Sequence, residues 1–234
     1  MQTITTIGLD IAKSVFQVHG VDAAGQVVIR RRLKRSYVLA FFQKLPACLI
    51  GIEACASSHH WSRELQALGH AVRLMPPAYV KPYVKRQKND ATDAEAICEA
   101  VARANMRFVP TKTSEQQSGL VLHRTRHMFV RQQTSVINAI RAHLAEFGIV
   151  APVGRKGVEE LLHVVDDPAD NRVPAIARAC LAALGAQLRR LKEQILEFDR
   201  LIKAWHRSNE MSMGLDEVPR RRSGAGHRCG CYRR

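Results

Sequence analysis

Four acidic residues stand where metal-assisted phosphoryl chemistry would want them. Asp10 follows the β-branched, apolar run 2–9, and Glu53 closes the short run Leu49-Ile50-Gly51-Ile52. Both would offer a carboxylate near the rim of a sheet. Asp90 and Asp93 are three apart at the start of a helical pattern, so they share one helix face and can converge on one point. Hard divalent cations such as Mg2+ or Mn2+ take oxygen ligands, and a bound cation makes clustered carboxylates tolerable to one another. Two such ions about 4 Å apart can clamp the attacking and leaving oxygens of a phosphodiester exchange. Each acid also has a structural alternative. Asp90 suits a helix N-cap, Asp93 the third helical position, and both suit the positive end of the helix dipole. Asp10 suits a turn at a strand end. Glu53 resists such a reading, because a charge closing an apolar run is costly to bury without a partner. His59 and His60, six and seven positions after Glu53, are within conceivable reach of the same ion, although surface histidines at a helix start are commoner.

These acids need elements to hold them. Residues 2–11, 14–21 and 26–33 read as three successive antiparallel strands, with Asp22-Ala23-Ala24-Gly25 as a hairpin turn. Ser36 opens a helix that reaches Leu45, where Pro46 stops it. Residues 47–54 form a short buried central strand, 59–68 a helix ending at Gly69, and 70–75 another strand before Pro76-Pro77. A helix runs from Asp90 to about Asn105. The order βββαβαβα predicts a mixed sheet with helices on its faces, an α/β domain.

The second half changes character. Apolar residues at Leu120, Leu122, Met128, Val130, Ile137, Ile140 and Leu144 follow one helical stripe across 114–147. A turn at 148–157 and a short helix at 158–165 come next. A second long helix over 173–206 carries Ile176, Leu181, Leu184, Leu188, Leu191, Ile195, Phe198 and Ile202 on its stripe. Two helices of ~30 residues, each ~45 Å long, read as an antiparallel coiled-coil arm, with an ordinary helical bundle as the alternative. Trp61 and Trp205 read as packing residues. The expected division is 1–110, 111–210 and a basic tail, 211–234.

Composition narrows the partners. The chain has 234 residues, 46% of them hydrophobic, which suffices for a packed core and argues against wholesale disorder. No apolar run approaches the ~18–20 residues that span a bilayer, and no secretory signal is visible, so a cytoplasmic, non-membrane protein is expected. Lys plus Arg number 36 against 21 acids, a net charge of +15. Six of those charges fall in the last fifteen residues, and the body without them still carries +9. Such an excess favours polyanions, since each neutralised phosphate releases counterions. Lys81, Lys85, Arg86 and Lys88 lead directly to Asp90, interleaved with Tyr79 and Tyr83. Arg124, Arg126, Arg131 and Arg141, with His123, line the first long helix. Arg30-Arg31-Arg32 and Lys34-Arg35 make a basic hairpin edge that discourages edge pairing and attracts phosphate. The six cysteines form no C-x-x-C pair, and His227, Cys229 and Cys231 lack a second ligand pair at zinc-finger spacing.

Three blocks carry a resemblance: Ile7-Gly8-Leu9-Asp10-Ile11-Ala12-Lys13, Gly51-Ile52-Glu53-Ala54, and Lys88-Asn89-Asp90-Ala91-Thr92-Asp93-Ala94. Together they resemble the DEDD transposases, insertion-sequence enzymes with a RuvC-like, RNase H-type N-terminal domain, some of them bridge-RNA-guided recombinases. The resemblance covers residues 4–148. It implies that Asp10, Glu53, Asp90 and Asp93 are the catalytic, metal-binding tetrad for Mg2+ or Mn2+. DNA is the implied partner, with a guide RNA encoded by the element as a further one. The arm would mediate homo-oligomeric assembly and nucleic-acid contact. By their positions, Lys81, Lys85, Arg86 and Lys88 ahead of Asp90 and Arg124, Arg126 and Arg131 on the first long helix are the candidate binding cations. A metal-dependent nuclease specific for branched DNA, using the same tetrad hydrolytically, is the competing reading. A non-catalytic nucleic-acid-binding protein is the other.

Members of that family continue with a second domain that opens on a Pro-Gly-Val-Gly-Pro-like turn and bears an essential serine. Leu215-Asp216-Glu217-Val218-Pro219 matches the lead-in, but Arg220-Arg221-Arg222-Ser223-Gly224-Ala225-Gly226-His227-Arg228 follows. One GC-rich codon set for those residues, read one base later, spells Gly-Val-Gly-Pro-Ala-Leu-Ala-Thr. The expectation is therefore a frame shift after Pro219, a truncated product lacking the serine half, and a tail that is not an evolved binding arm. Sequencing the gene checks this: Gly-Val-Gly-Pro should appear in the alternative frame, and its absence would leave the basic tail as a genuine phosphate-gripping segment.

Overall fold

The computed structural model describes residues 3–84, 90–209 and 212–213, without the side chains of Asp90, Ala91 and Arg155. The chain divides into two compact units, Met1–Gln117 and Ser118–Arg234.

In the first unit, strands β1 (Thr6–Ile11), β2 (Val15–Val21), β3 (Val27–Lys34), β4 (Leu49–Glu53) and β5 (Ala71–Met75) form one mixed sheet in the order β3-β2-β1-β4-β5. The first three are antiparallel neighbours, while β4 and β5 run parallel to β1. The hairpin between β2 and β3 closes as its sequence predicts. Asp22 Oδ1 accepts from the N–H groups of Ala24 and Gln26, both at 2.9 Å, and Gly25 takes the positive φ of 76° that a glycine adopts without strain.

Alternation along each strand builds two different faces. Ile7, Leu9, Phe16, Val18, Leu33, Ile50, Ile52 and Leu74 point to one side, where α1 (Val38–Phe42) and α2 (Ser58–Ala67) cover them with Val38, Phe42, Trp61 and Leu65. Each fully buried side chain of this kind contributes roughly 1.5–3 kcal/mol. Trp61 packs edge-on to Phe16 at 4.8 Å. The helix expected from Ser36 to Leu45 is shorter: only α1 is α-helical, and Lys44 and Leu45 close tight turns onto Phe41 and Phe42. Burial of Phe42 and Pro46 two residues beyond Lys44 leave no room for another turn. The other sheet face is covered by α4 (Asp90–Val101), whose Ala96, Ile97, Ala100 and Val101 bury against Met75 and Val80.

The second unit holds most of α5 (Ser114–Ala145), with α6 (Arg155–Asp166) and α7 (Ala175–Ser208). Contacts between α5 and α7 run in opposite chain directions. Trp205 lies against Gly119, Phe129 meets Phe198 edge-on at 5.3 Å, and Arg126 Nε donates to Asp199 at 2.5 Å. The two long helices are therefore an antiparallel pair. Towards the far end, α6 turns the pair into a three-helix core of Ile140, Leu144, Val158, Leu161, Leu162, Val165, Leu181 and Leu188. Two arginines satisfy backbone carbonyls there. Arg141 donates to Ala151, Pro152 and Gly154, and Arg178 to Val164, Val165, Asp167 and Asp170, closing the C-terminus of α6. Beside that closure Arg172 holds the half-buried Asp170 carboxyl down at about 2.

Candidate metal centre and its nucleic-acid face

Two glycines decide where the carboxylates can act. Gly8 and Gly51 are register partners on β1 and β4. A Cβ on Gly8 would lie 2.1 Å from the Ala94 carbonyl oxygen and 2.4 Å from the Cys98 nitrogen, and one on Gly51 would lie 2.7 Å from Val101 Cβ. The backbone of α4 thus rests directly on the sheet, crossing β1 near Ala94 and β4 near Val101. The Cys98 thiol, 3.8 Å from the Thr6 carbonyl, adds a weak tie, and burial pushes that thiol up to about 11.

Asp10 and Glu53 belong to this same face. Leu9 pairs with Ile52, and continuing the parallel register by one residue sets Asp10 beside Glu53, about 4.8 Å apart along the hydrogen-bonding direction. Both alternate with residues buried under α1 and α2, so their side chains leave on the α4 side, as Met75, the partner of Glu53 on β5, does. Asp93 immediately precedes Ala94, the residue over Gly8, and is half-buried. Asp90 opens α4 one turn earlier; its side chain lies outside the described residues. The fold therefore brings two strand carboxylates to one face and sets the helix bearing the other two acids across it. Among the described residues no three His, Cys, Asp or Glu side chains have closed into a metal cage. The donor set is all carboxylate oxygen, which suits a hard divalent cation and disfavours zinc.

The histidines after Glu53 serve elsewhere. His59 Nδ1 accepts from the Lys112 N–H at 3.1 Å, and His60 stands edge-on to Trp61 and 3.7 Å from Glu64. His59 is part of a strap missed in the sequence. Val109 bridges to Leu74, Thr111 bonds Ser62 at 2.7 Å, and Arg63 donates to the Lys112 carbonyl at 2.7 Å. The strap delivers the chain to Thr113 and Gln116, which cap the start of α5 reciprocally.

Among the expected binding cations, Lys81 is exposed on the turn after α3 (Pro77–Val80), while Lys85, Arg86 and Lys88 lie outside the described residues, as do the basic tail and its cysteines. Arg124 and Arg131 are exposed on α5. Arg126 is committed to Asp199; burial, with the nearby Arg126 charge, holds His123 below its ordinary imidazole value.

The match to known proteins agrees with this geometry. A family model described as a transposase, of the DEDD type of IS110, matches residues 7–149. The chain belongs to the DEDD transposase family. Relatives include a "Probable family 20 transposase" of Pseudomonas aeruginosa, 48% identical over 86% of this chain and 60% of its own length. A Sinorhizobium fredii protein named as a candidate transposase, y4pF/y4sB, is 46% identical over 94% of this chain and 56% of its own length. The transposase for insertion sequence element IS1111A of Coxiella burnetii is 38% identical over 94% and 60%. The chain thus spans little more than half the length of these relatives. Membership in a DEDD family implies dependence on a divalent metal in general terms. Among the described residues, no helix is long and apolar enough to cross a membrane.

Gly8→Ala tests the glycine contact directly. It should lower unfolding stability by about 1–3 kcal/mol, the usual cost of overpacking, and speed amide hydrogen exchange across Asp90–Val101. Unchanged exchange in α4 would contradict the close approach.

Proposed function

We propose that this chain is the metal-binding and strand-holding portion of an insertion-sequence DNA transposase, acting in the cytoplasm on DNA with Mg2+ or Mn2+. The observation carrying this reading is the placement of Asp10 beside Glu53 on the sheet face that α4 covers, in a chain of the DEDD transposase family. Asp10, Glu53, Asp90 and Asp93 would hold the cation. A bound divalent ion supplies Lewis-acid stabilisation of charge developing on a phosphodiester.

The protein's own part is positional. The strand carboxylates stand on rigid, buried strands, so their separation is fixed before substrate arrives. The helical acids approach on α4, at a height set by Gly8 and Gly51. Lys81, Lys85, Arg86 and Lys88 neutralise backbone phosphates on the approach to Asp90. Arg124 and Arg131 offer phosphate contacts of their own on α5, and Arg126 contributes once its bond to Asp199 is exchanged for phosphate. The arm leaves Val121, Met128, Leu196 and Leu201 exposed, which supports pairing with a second copy of the chain. An RNA guide encoded by the element is a further partner in this reading, because the same cations serve either nucleic acid.

The test compares the unmodified chain with Asp10→Asn and Asp93→Asn on DNA containing the element's genomic flanks, in Mg2+ and in EDTA. Whatever Mg2+-dependent strand processing the chain supports without the serine half should fall on the order of 100-fold or more in both variants, while binding in EDTA stays within about threefold. Processing that survives in Asp10→Asn, or binding indifferent to both Mg2+ and Asp93→Asn with no processing at all, would contradict the proposal. Preferential cutting of branched DNA would make the chain a junction nuclease instead.

A further inference from the structure

Beside the carboxylates lies a second feature, on the β2–β3 side of the same face. Cross-strand pairs align Gly8 with His19 and His19 with Arg30; one pair further, Asp10 aligns with Gln17 and Gln17 with Arg32. Directly paired residues share a face, so Arg30 and Arg32 stand on the side that α4 covers. Two contacts agree. Arg30 reaches Glu95 of α4 at 3.7 Å, whereas Arg31, the alternating residue, lies 5.8 Å from the centre of the Phe41 ring on the opposite face. A cavity of about 180 Å³ opens here, lined by Gln17, Val18, His19, Arg30, Arg31, Arg32 and Ala94, with the Arg31 guanidinium turned to the Phe41 ring.

The five basic residues of 30–35 therefore do different work. Arg31 and Arg35 rest on aromatic rings, Arg35 lying 5.1 Å from that of Trp61, and Arg30 shares its charge with Glu95. Arg32 is exposed and, among the described residues, forms no ion pair or ring contact. Of the three arginines that line the cavity, it is the one with neither an acid nor a ring against it among the described residues. Two strand spacings, roughly 10 Å, separate its row position from that of Asp10. At about 3.4 Å of axial rise per nucleotide, and more than that between successive phosphates, this is at most a few steps of one strand.

We propose that this cavity is a phosphate-binding subsite in which Arg32 grips one backbone phosphate of a nucleic-acid strand, a few nucleotides from the phosphodiester held at Asp10 and Glu53. Gln17 and the buried His19 form its polar floor, and the Arg30–Glu95 pair fixes its wall to α4. The subsite rests on the reading of the carboxylates as a phosphodiester site. It adds a fixed point that sets which bond of the strand reaches them.

Counterion release gives a readout specific to one phosphate. The full chain, Arg32→Gln, Arg32→Lys and Arg31→Gln are titrated against fluorescein-labelled single-stranded and duplex oligodeoxynucleotides over a range of salt concentrations. Arg32→Gln should reduce the slope of log affinity against log salt by about 0.7–0.9, equally for unrelated sequences. Arg32→Lys keeps the charge and should keep the slope, as should Arg31→Gln. An unchanged slope in Arg32→Gln, or an equal loss in Arg31→Gln, overturns the subsite while leaving the transposase reading standing. Absence of any binding by the unmodified chain overturns that reading and the subsite with it.

Discussion

Helix α4 can lie on the sheet only because Gly8 and Gly51, neighbours in register, present no side chain beneath it. A methyl group at Gly8 would occupy the space of the Ala94 carbonyl, and backbone cannot step aside as the end of a long side chain can. That contact fixes the height of α4 and hence of the acids in its first turns. It also forces the residues flanking each glycine into their roles. Leu9 and Ile52 must bury on the far side under α2, so Asp10 and Glu53 emerge on the near side. The placement of the two strand carboxylates is thus a consequence of strand alternation plus two missing side chains.

The charge of the chain divides by the same structural logic. A net +15 is a statement about polyanion partners, yet several arginines are spent on the fold itself. Arg141 and Arg178 satisfy carbonyls at the turns of the helical unit, Arg126 pairs with Asp199 across α5 and α7, and Arg35 lies on Trp61. Lys81, Arg32, Arg124 and Arg131, by contrast, are exposed to solvent. The excess is less diffuse than composition implies, and its useful part faces particular surfaces.

Much of this was legible in the residues. Alternation in 14–21, apolar and β-branched runs elsewhere, and the turn residues between them located all five strands, and the apolar stripes of α5 and α7 located the long helices within a few residues. Asp10 and Glu53 were legible because each carboxylate interrupts an apolar run. The glycines were not, since Gly8 and Gly51 sit in strands where only the arrival of a later helix gives them meaning. A possible signal was their position, each two residues before an acid. The strap from Val109 to Lys112 carries no periodicity, so its bonds to His59, Ser62 and Arg63 are visible only in three dimensions. Likewise Arg126 read as a surface cation because Asp199 lies far along the chain.

The central claim is that Asp10 and Glu53 meet under α4 to hold a hard divalent cation. Anomalous scattering from crystals of the full chain grown with Mn2+ tests it most directly. The account predicts an anomalous peak between the Asp10 and Glu53 carboxylates, within coordination distance of an acid of α4. A manganese peak elsewhere, or none at saturating Mn2+, would contradict it.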